Sequence, residues 1–185
     1  MRKTGVKKTF PGNTVFDREC QAIQTGLPAM TNTLIKQKRG ITMDAQTRGL
    51  LRECSLGCKM AINSFDQMRD YVKNEELKEL MDTYDKKHKA YEEKAAKMLM
   101  EDGSKEKEPG MMASAFSKLT TEMKLMMKDD SSQVAKLVMD GCNMGIQTLG
   151  GYINEYKNAS GQSMNLARDI VRTEESLMKD VQKFL

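Results

Sequence analysis

From Leu51 to Val72 the apolar residues fall at alternating intervals of three and four: Leu51, Cys54, Cys58, Ala61, Phe65, Met68 and Val72. That spacing puts them on one stripe of an α-helix, and it is incompatible with the period of two that a strand needs. The pattern then repeats along the chain. Leu77, Met81, Tyr84, His88, Tyr91, Ala95 and Met98 form a second stripe; Ala135, Val138, Cys142, Gly145, Leu149, Tyr152 and Tyr156 form another; Met164, Ala167, Val171, Glu174, Met178, Val181 and Leu185 form the last. Breaks separate the stripes at Lys73-Asn74, Asp102-Gly103 and Asn158-Ala159-Ser160-Gly161. Four long amphipathic helices with short turns inside each pair make two antiparallel hairpins, and two hairpins close an all-α four-helix bundle.

Between the hairpins, Pro109 opens a shorter stripe of Met112, Phe116, Leu119, Met123 and Met126, read as a crossover helix over 109–128. Asp129-Asp130-Ser131-Ser132 then supplies a break and a cap for the next helix. The domain organisation expected is a disordered basic tail over 1–13, a short helical extension over 14–45, and the bundle over 46–185, with hairpins 46–102 and 132–185. Within the extension, Thr14–Thr25 and Ala29–Arg39 read as short helices interrupted at Gly26-Leu27-Pro28.

The hairpins share sequence. Gly57–Phe65 (GCKMAINSF) matches Gly141–Leu149 (GCNMGIQTL) at an offset of 84, so that Cys58 aligns with Cys142 and Ala61 with Gly145. Lys73-Asn74 recurs as Lys157-Asn158 at the same offset. The body is thus read as an internal repeat, and the small residues at Ala61 and Gly145 are expected to allow close helix approach. Gly150-Gly151 is expected to permit a kink or close packing.

Composition agrees with a helical, Met-softened core: 17 Met, no Trp, 5% aromatic and 30% charged residues. No apolar run is long enough to cross a membrane, and the basic N-terminus has no apolar stretch behind it to act as a secretory signal. Four cysteines (Cys20, Cys54, Cys58, Cys142) with no short framework suit a reducing, cytoplasmic setting. Residues 1–40 hold eight Lys/Arg against two acids, a net of +6, while the remainder is slightly acidic. Such an arm suits a solvated tail; it also suits contact with an acidic surface or nucleic acid, although no aromatic platform is interleaved with the charges.

Chemistry is concentrated at one place. His88 is the only histidine in the chain, and Asp85-x-x-His88 has the helical spacing of half a metal site. The layout of two hairpins around a long crossover, with CSLGCKMAI on the first helix, NEELKELMDTYDKKHKAYEEKAAKML on the second and MMASAFSKL in the crossover, resembles the ferritin-like superfamily. More narrowly, residues 46–185 resemble the bacterial ferritin-like proteins of domain-of-unknown-function family 2383, with a looser likeness to spore-coat ferritin-like bundles. The resemblance implies a di-metal site with a carboxylate from each of two helices and a Glu-x-x-His from each of the others. Carried over, Asp85 and His88 supply one half and Glu174 or Glu175 part of the other. Met178 stands where the second histidine belongs, and Lys59 and Asn143 where the remaining acids belong.

The expectation is therefore a non-catalytic ferritin-like scaffold or interaction module with a degenerate metal site, no cofactor, and a second copy (a dimer) or another protein as partner. Its alternatives are a di-metal oxidoreductase or iron-handling bundle holding iron, manganese or zinc through Asp85, His88, Glu174 and Glu175, a mixed Cys/His site using Cys58 and Cys142, and a nucleic-acid-associated protein acting through the N-terminal arm. No catalytic triad, phosphate loop or nucleotide fingerprint is present in the sequence. Glu174, the one acid on its stripe, needs a buried partner, and His88 or a stripe tyrosine is the candidate.

Overall fold

The computed structural model describes residues 42–107 and 131–185, and all but the first of these belong to one compact unit, Met43–Leu185. The expectations for 1–13, 14–25, 29–39 and the crossover helix at 109–128 lie outside the described residues. Four helices make up the described chain: α1 (Ala45–Met68), α2 (Glu75–Glu101), α3 (Ser131–Glu155) and α4 (Gly161–Val181). Single 3₁₀ turns follow α1 (Arg69–Tyr71) and α4 (Gln182–Phe184), and the described residues contain no strand.

Local chemistry sets where each helix starts and stops. Asp44 caps α1 by accepting hydrogen bonds from the backbone N–H groups of Gln46 and Thr47 at 2.9 Å. Asn74 caps α2 by accepting from the Leu77 N–H at 3.0 Å, and Glu75 and Glu76 place negative charge in the same positive first turn. Ser160 does the same for α4, accepting from the Ser163 N–H. Gly103, with φ of 73°, ends α2 in the left-handed conformation that glycine adopts without strain.

The first turn of α1 is the node that orients the bundle. The Met43 N–H donates to Asp102 at 2.7 Å, and Arg48 pairs with the same carboxylate at 2.9 Å, so α2 ends where α1 begins. Ser104, the Met43 N–H and Arg48 together hold the Asp102 carboxyl below the usual carboxylate range. The α3–α4 turn is fastened there as well: the Ser160 N–H donates to Thr47 at 2.7 Å and the Asn158 N–H to Gln46 at 2.8 Å. It follows that α2 and α3 run in one direction and α1 and α4 in the other. After α2 the chain turns back along α1, with the Lys105 carbonyl accepting from Arg52 at 2.8 Å, Glu106 paired with Lys59, and Lys107 paired with Glu53.

Each hairpin packs internally, α1 on α2 and α3 on α4; α2 then lies against α4, and α1 against both α3 and α4. The interior holds two apolar clusters. One gathers Phe65, Met68, Leu77, Met81, Val134, Val138, Leu177 and Val181; the other, toward the node, gathers Leu50, Leu51, Cys54, Ala95, Leu99, Leu166 and Ile170.

The stripes predicted from the sequence need correcting in three places. On α4 the buried residues are Ser163, Leu166, Ala167, Ile170, Thr173, Glu174, Leu177 and Val181, while Met164, Val171 and Met178 are half-buried and Leu185 is 56% exposed. The inward face is rotated because α4 meets α1, α2 and α3, a wider surface than one row of residues spans. Gly150 and Gly151 lie within an uninterrupted α3, and a Cβ at either would meet nothing within 4 Å among the described residues, so neither serves close packing there. Ala61 and Gly145 line a groove between α1 and α3 where close approach was expected.

Close approach occurs at Gly49 instead: a Cβ there would sit 2.8 Å from the ring of Tyr156. Gly49→Ala is therefore expected to cost about 1–3 kcal/mol through overpacking, in spite of the better helix propensity of alanine. Gly151→Ala, with open space around it, is expected to stabilise by about 0.5–1 kcal/mol. Urea denaturation of both variants checks the pair, and equal effects would contradict the assignment of Gly49 to a packing role.

Candidate functional site

His88 and Glu174 meet at the middle of the bundle. His88 is fully buried and Glu174 is 8% exposed. The His88 Nε2 lies 2.8 Å from Glu174 Oε1, and Nδ1 lies 2.8 Å from the Tyr84 carbonyl oxygen one helical turn back. A carbonyl only accepts, so Nδ1 carries a proton and both ring nitrogens are engaged. Phe65 sets its ring edge-on to the imidazole, with centroids 5.6 Å apart, and closes the site from α1.

The pair is one rung of three between α2 and α4. Tyr84 Oη donates to Asp180 at 2.7 Å on one side, and Tyr91 Oη lies 3.0 Å from Thr173 Oγ1 on the other. Three rungs at matched levels fix the register of two antiparallel helices whose apolar contacts alone would tolerate sliding. Glu174 was legible as an acid in search of a partner because its stripe is otherwise apolar. The flanking rungs were missed: Asp180 and Thr173 lie off the sequence stripe, and only the second helix shows that a tyrosine hydroxyl reaches them.

Burial, the largest single influence on His88, disfavours the imidazolium. The hydrogen bond and charge of Glu174, the Tyr84 carbonyl and the charge of Asp85 together outweigh it, so the pKa lies above 6.5. The surrounding thiols are raised as well, which for them favours the neutral form: burial, with the charge of Glu53, pushes Cys54 up to about 12, and burial with the charge of Glu174 raises Cys142 further. Cys58 is raised for the same reason, with Cys54 and Glu174 adding to burial. These thiols are free, buried and protonated, which makes them poor nucleophiles and poor metal ligands as they stand.

The other candidate ligands are not gathered around this pair. Asp85 is buried, but its Oδ2 lies 2.6 Å from Lys89 Nζ and 3.6 Å from Arg69, leaving Oδ1 as the buried side-chain oxygen without a hydrogen bond among the described residues. Glu175 is exposed, since its inward neighbour Glu174 turns it about 100° away on a helix. Lys59 is paired with Glu92 at 3.8 Å and with Glu106, Asn143 is exposed, and Met178 is half-buried. Among the described residues no three His, Cys, Asp or Glu side chains are grouped to hold a metal ion. The donor set therefore does not fit a di-metal centre: beside the one imidazole stands Glu174 alone, Asp85 is held by Lys89, and Glu175 faces solvent. A mixed Cys/His site fails on the same count.

A groove of about 370 Å³ opens beside the pair, between α1 and α3, with α4 as its floor. Gly145 is why Glu174 borders it: a Cβ at that position would lie 3.6 Å from the Glu174 carboxyl carbon, and in its absence the carboxylate is reached from the groove side.

Removing one member of the pair strands the other in the interior. Glu174→Ala is expected to destabilise by about 3–5 kcal/mol, while His88→Leu combined with Glu174→Met is expected to fall within about 1–2 kcal/mol of wild type. The pKa of His88 is raised on folding, so its stabilising contribution is complete below the unfolded value of about 6.5 and disappears as the pH rises through the higher folded value. The stability gap between wild type and Glu174→Gln should therefore shrink as the pH rises above about 6.5, as followed by denaturant unfolding. A gap that widened with pH would contradict the assignment. No family model matches the chain, and neither a curated protein nor a solved structure matches it.

Proposed function

We propose that the chain is a non-catalytic scaffold or protein-interaction module built on a ferritin-like bundle, in which a hydrogen-bonded ion pair occupies the place of a metal centre. The observation that carries this reading is the engagement of both nitrogens of His88, the chain's only imidazole, by Tyr84 and Glu174. A di-metal role needs several anions converging on the imidazole, and among the described residues Asp85 is held by Lys89 and Glu175 faces solvent. The helix directions support the ferritin-like part of the proposal: α2 and α3 run parallel, so the end of α2 and the start of α3 lie at opposite ends of the bundle, as a long crossover demands. The shared sequence of Gly57–Phe65 and Gly141–Leu149 supports the derivation of the two hairpins from one unit.

An interaction role is supported by surface that the bundle does not need for its own core. Met144 on α3 is 50% exposed and Met100 on α2 is 72% exposed, and such side chains are adaptable contacts for a second copy or another protein. Among the described residues Cys54, Cys58 and Cys142 are free, which supports a reducing, cytoplasmic setting. No helix among the described residues is long and apolar enough to cross a membrane. The basic arm over 1–40, on which a nucleic-acid role would rest, lies outside the described residues.

Elemental analysis of the protein produced with iron, manganese and zinc tests the reading. The expected result is far less than one metal ion per chain, unchanged by His88→Gln. One or two ions per chain, lost in that variant, would make the protein a metal-binding bundle and overturn the proposal.

A further inference from the structure

The groove between α1 and α3 has the shape and charge of a ligand site. Its walls run from Glu53 to Met68 on α1 and from Leu137 to Tyr152 on α3, a length of about 22 Å at 1.5 Å per residue. A capacity of about 370 Å³ is thus spread along the two helices, a shape suited to an extended, unbranched chain. The lining is mainly apolar, with Met60, Phe65 and Leu149 among it, and polar groups are few, as in cavities that bind small molecules between the helices of a bundle.

The ionisable lining is of one sign. Glu53, Asp140 and Glu174 border the groove, and among the described residues no Lys, Arg or His does. Glu53 is engaged by Lys107 and Asp140 is exposed at the rim. Glu174 is the acid on the floor, approached through the gap that Gly145 leaves, and a carboxylate has acceptor positions beyond the one that His88 uses. We propose that this groove binds an elongated apolar molecule bearing an amine, the chain lying between α1 and α3 and the ammonium donating to the Glu174 carboxylate. This goes beyond the scaffold reading and stands or falls independently of it: metal content tests the one, amine binding the other.

Titration calorimetry of the full chain with decylamine, decanol and decanoate, each kept below its aggregation threshold, tests the proposal. Decylamine is expected to saturate one site per chain and to bind at least about tenfold more tightly than decanoate, the advantage of a hydrogen bond to a charged acceptor. That preference runs against the net charge of +4, which by itself favours the anion. Glu174→Gln should remove the preference and leave decanol binding unchanged. Gly145→Leu, whose side chain fills the groove and covers the Glu174 carboxylate, should abolish binding of all three while circular dichroism reports a folded bundle.

Equal binding of amine and carboxylate, or undiminished binding to Gly145→Leu, would overturn the site. So would a wild-type chain that binds no amine. If that chain were a dimer which Met144→Asp dissociates into amine-binding monomers, a second copy would be the natural occupant. If Glu174→Gln fails to fold, Gly145→Leu and the amine-to-decanoate ratio decide the question alone.

Discussion

The contact between His88 and Glu174 is the constraint around which the described bundle is arranged. Two ionisable groups in an apolar interior are tolerable only when they satisfy each other. Doing so brings α2 and α4 to one level, at which Tyr84 finds Asp180 and Tyr91 finds Thr173. The two apolar clusters lie on either side of that polar layer. Replacing the pair by hydrophobic residues would cost little net stability, so the role inferred for it is specificity: it selects one register from the several that the apolar stripes permit.

The node at the start of α1 complements this layer. Asp102, Arg48, Thr47 and Gln46 tie the end of α2 and the α3–α4 turn to a single helical turn. Register is thus fixed by hydrogen bonds at one end and at the centre, while apolar burial supplies most of the driving force. Between these fixed points α1 and α3 need not pack tightly, and they do not. The groove with Glu174 on its floor is what their separation leaves, and an interaction or ligand role finds its surface there.

Much of the fold was legible because helix periodicity and capping are local. The four helices and the breaks at Lys73-Asn74, Asp102-Gly103 and Asn158-Ala159-Ser160-Gly161 are each written within a few residues. Glu174 was legible as an anomaly on an apolar stripe, which is why His88 could be named as its partner. The inward face of α4 was misjudged because Met164, Val171 and Met178 satisfy the same spacing as Leu166, Ile170 and Leu177 do, and only the number of neighbouring helices decides between the two rows. The need for Gly49 arises from Tyr156, more than a hundred positions away, and leaves no local trace. The groove was illegible for the same reason: it is a distance between two helices, and Ala61 and Gly145 are equally suited to closing that distance or to leaving it open.

One spectrum tests the central claim most directly. The chain has a single histidine, so its imidazole nitrogens are assignable without ambiguity by NMR. Followed against pH, with zinc or manganese added at each point, the ring should titrate above about 6.5, keep protons on both nitrogens on the acid side of that transition, and ignore the cations. A ring that titrates below that value, or that surrenders its Nε2 proton when a divalent cation is added, would show that Glu174 does not hold it and that the bundle's centre is a metal site.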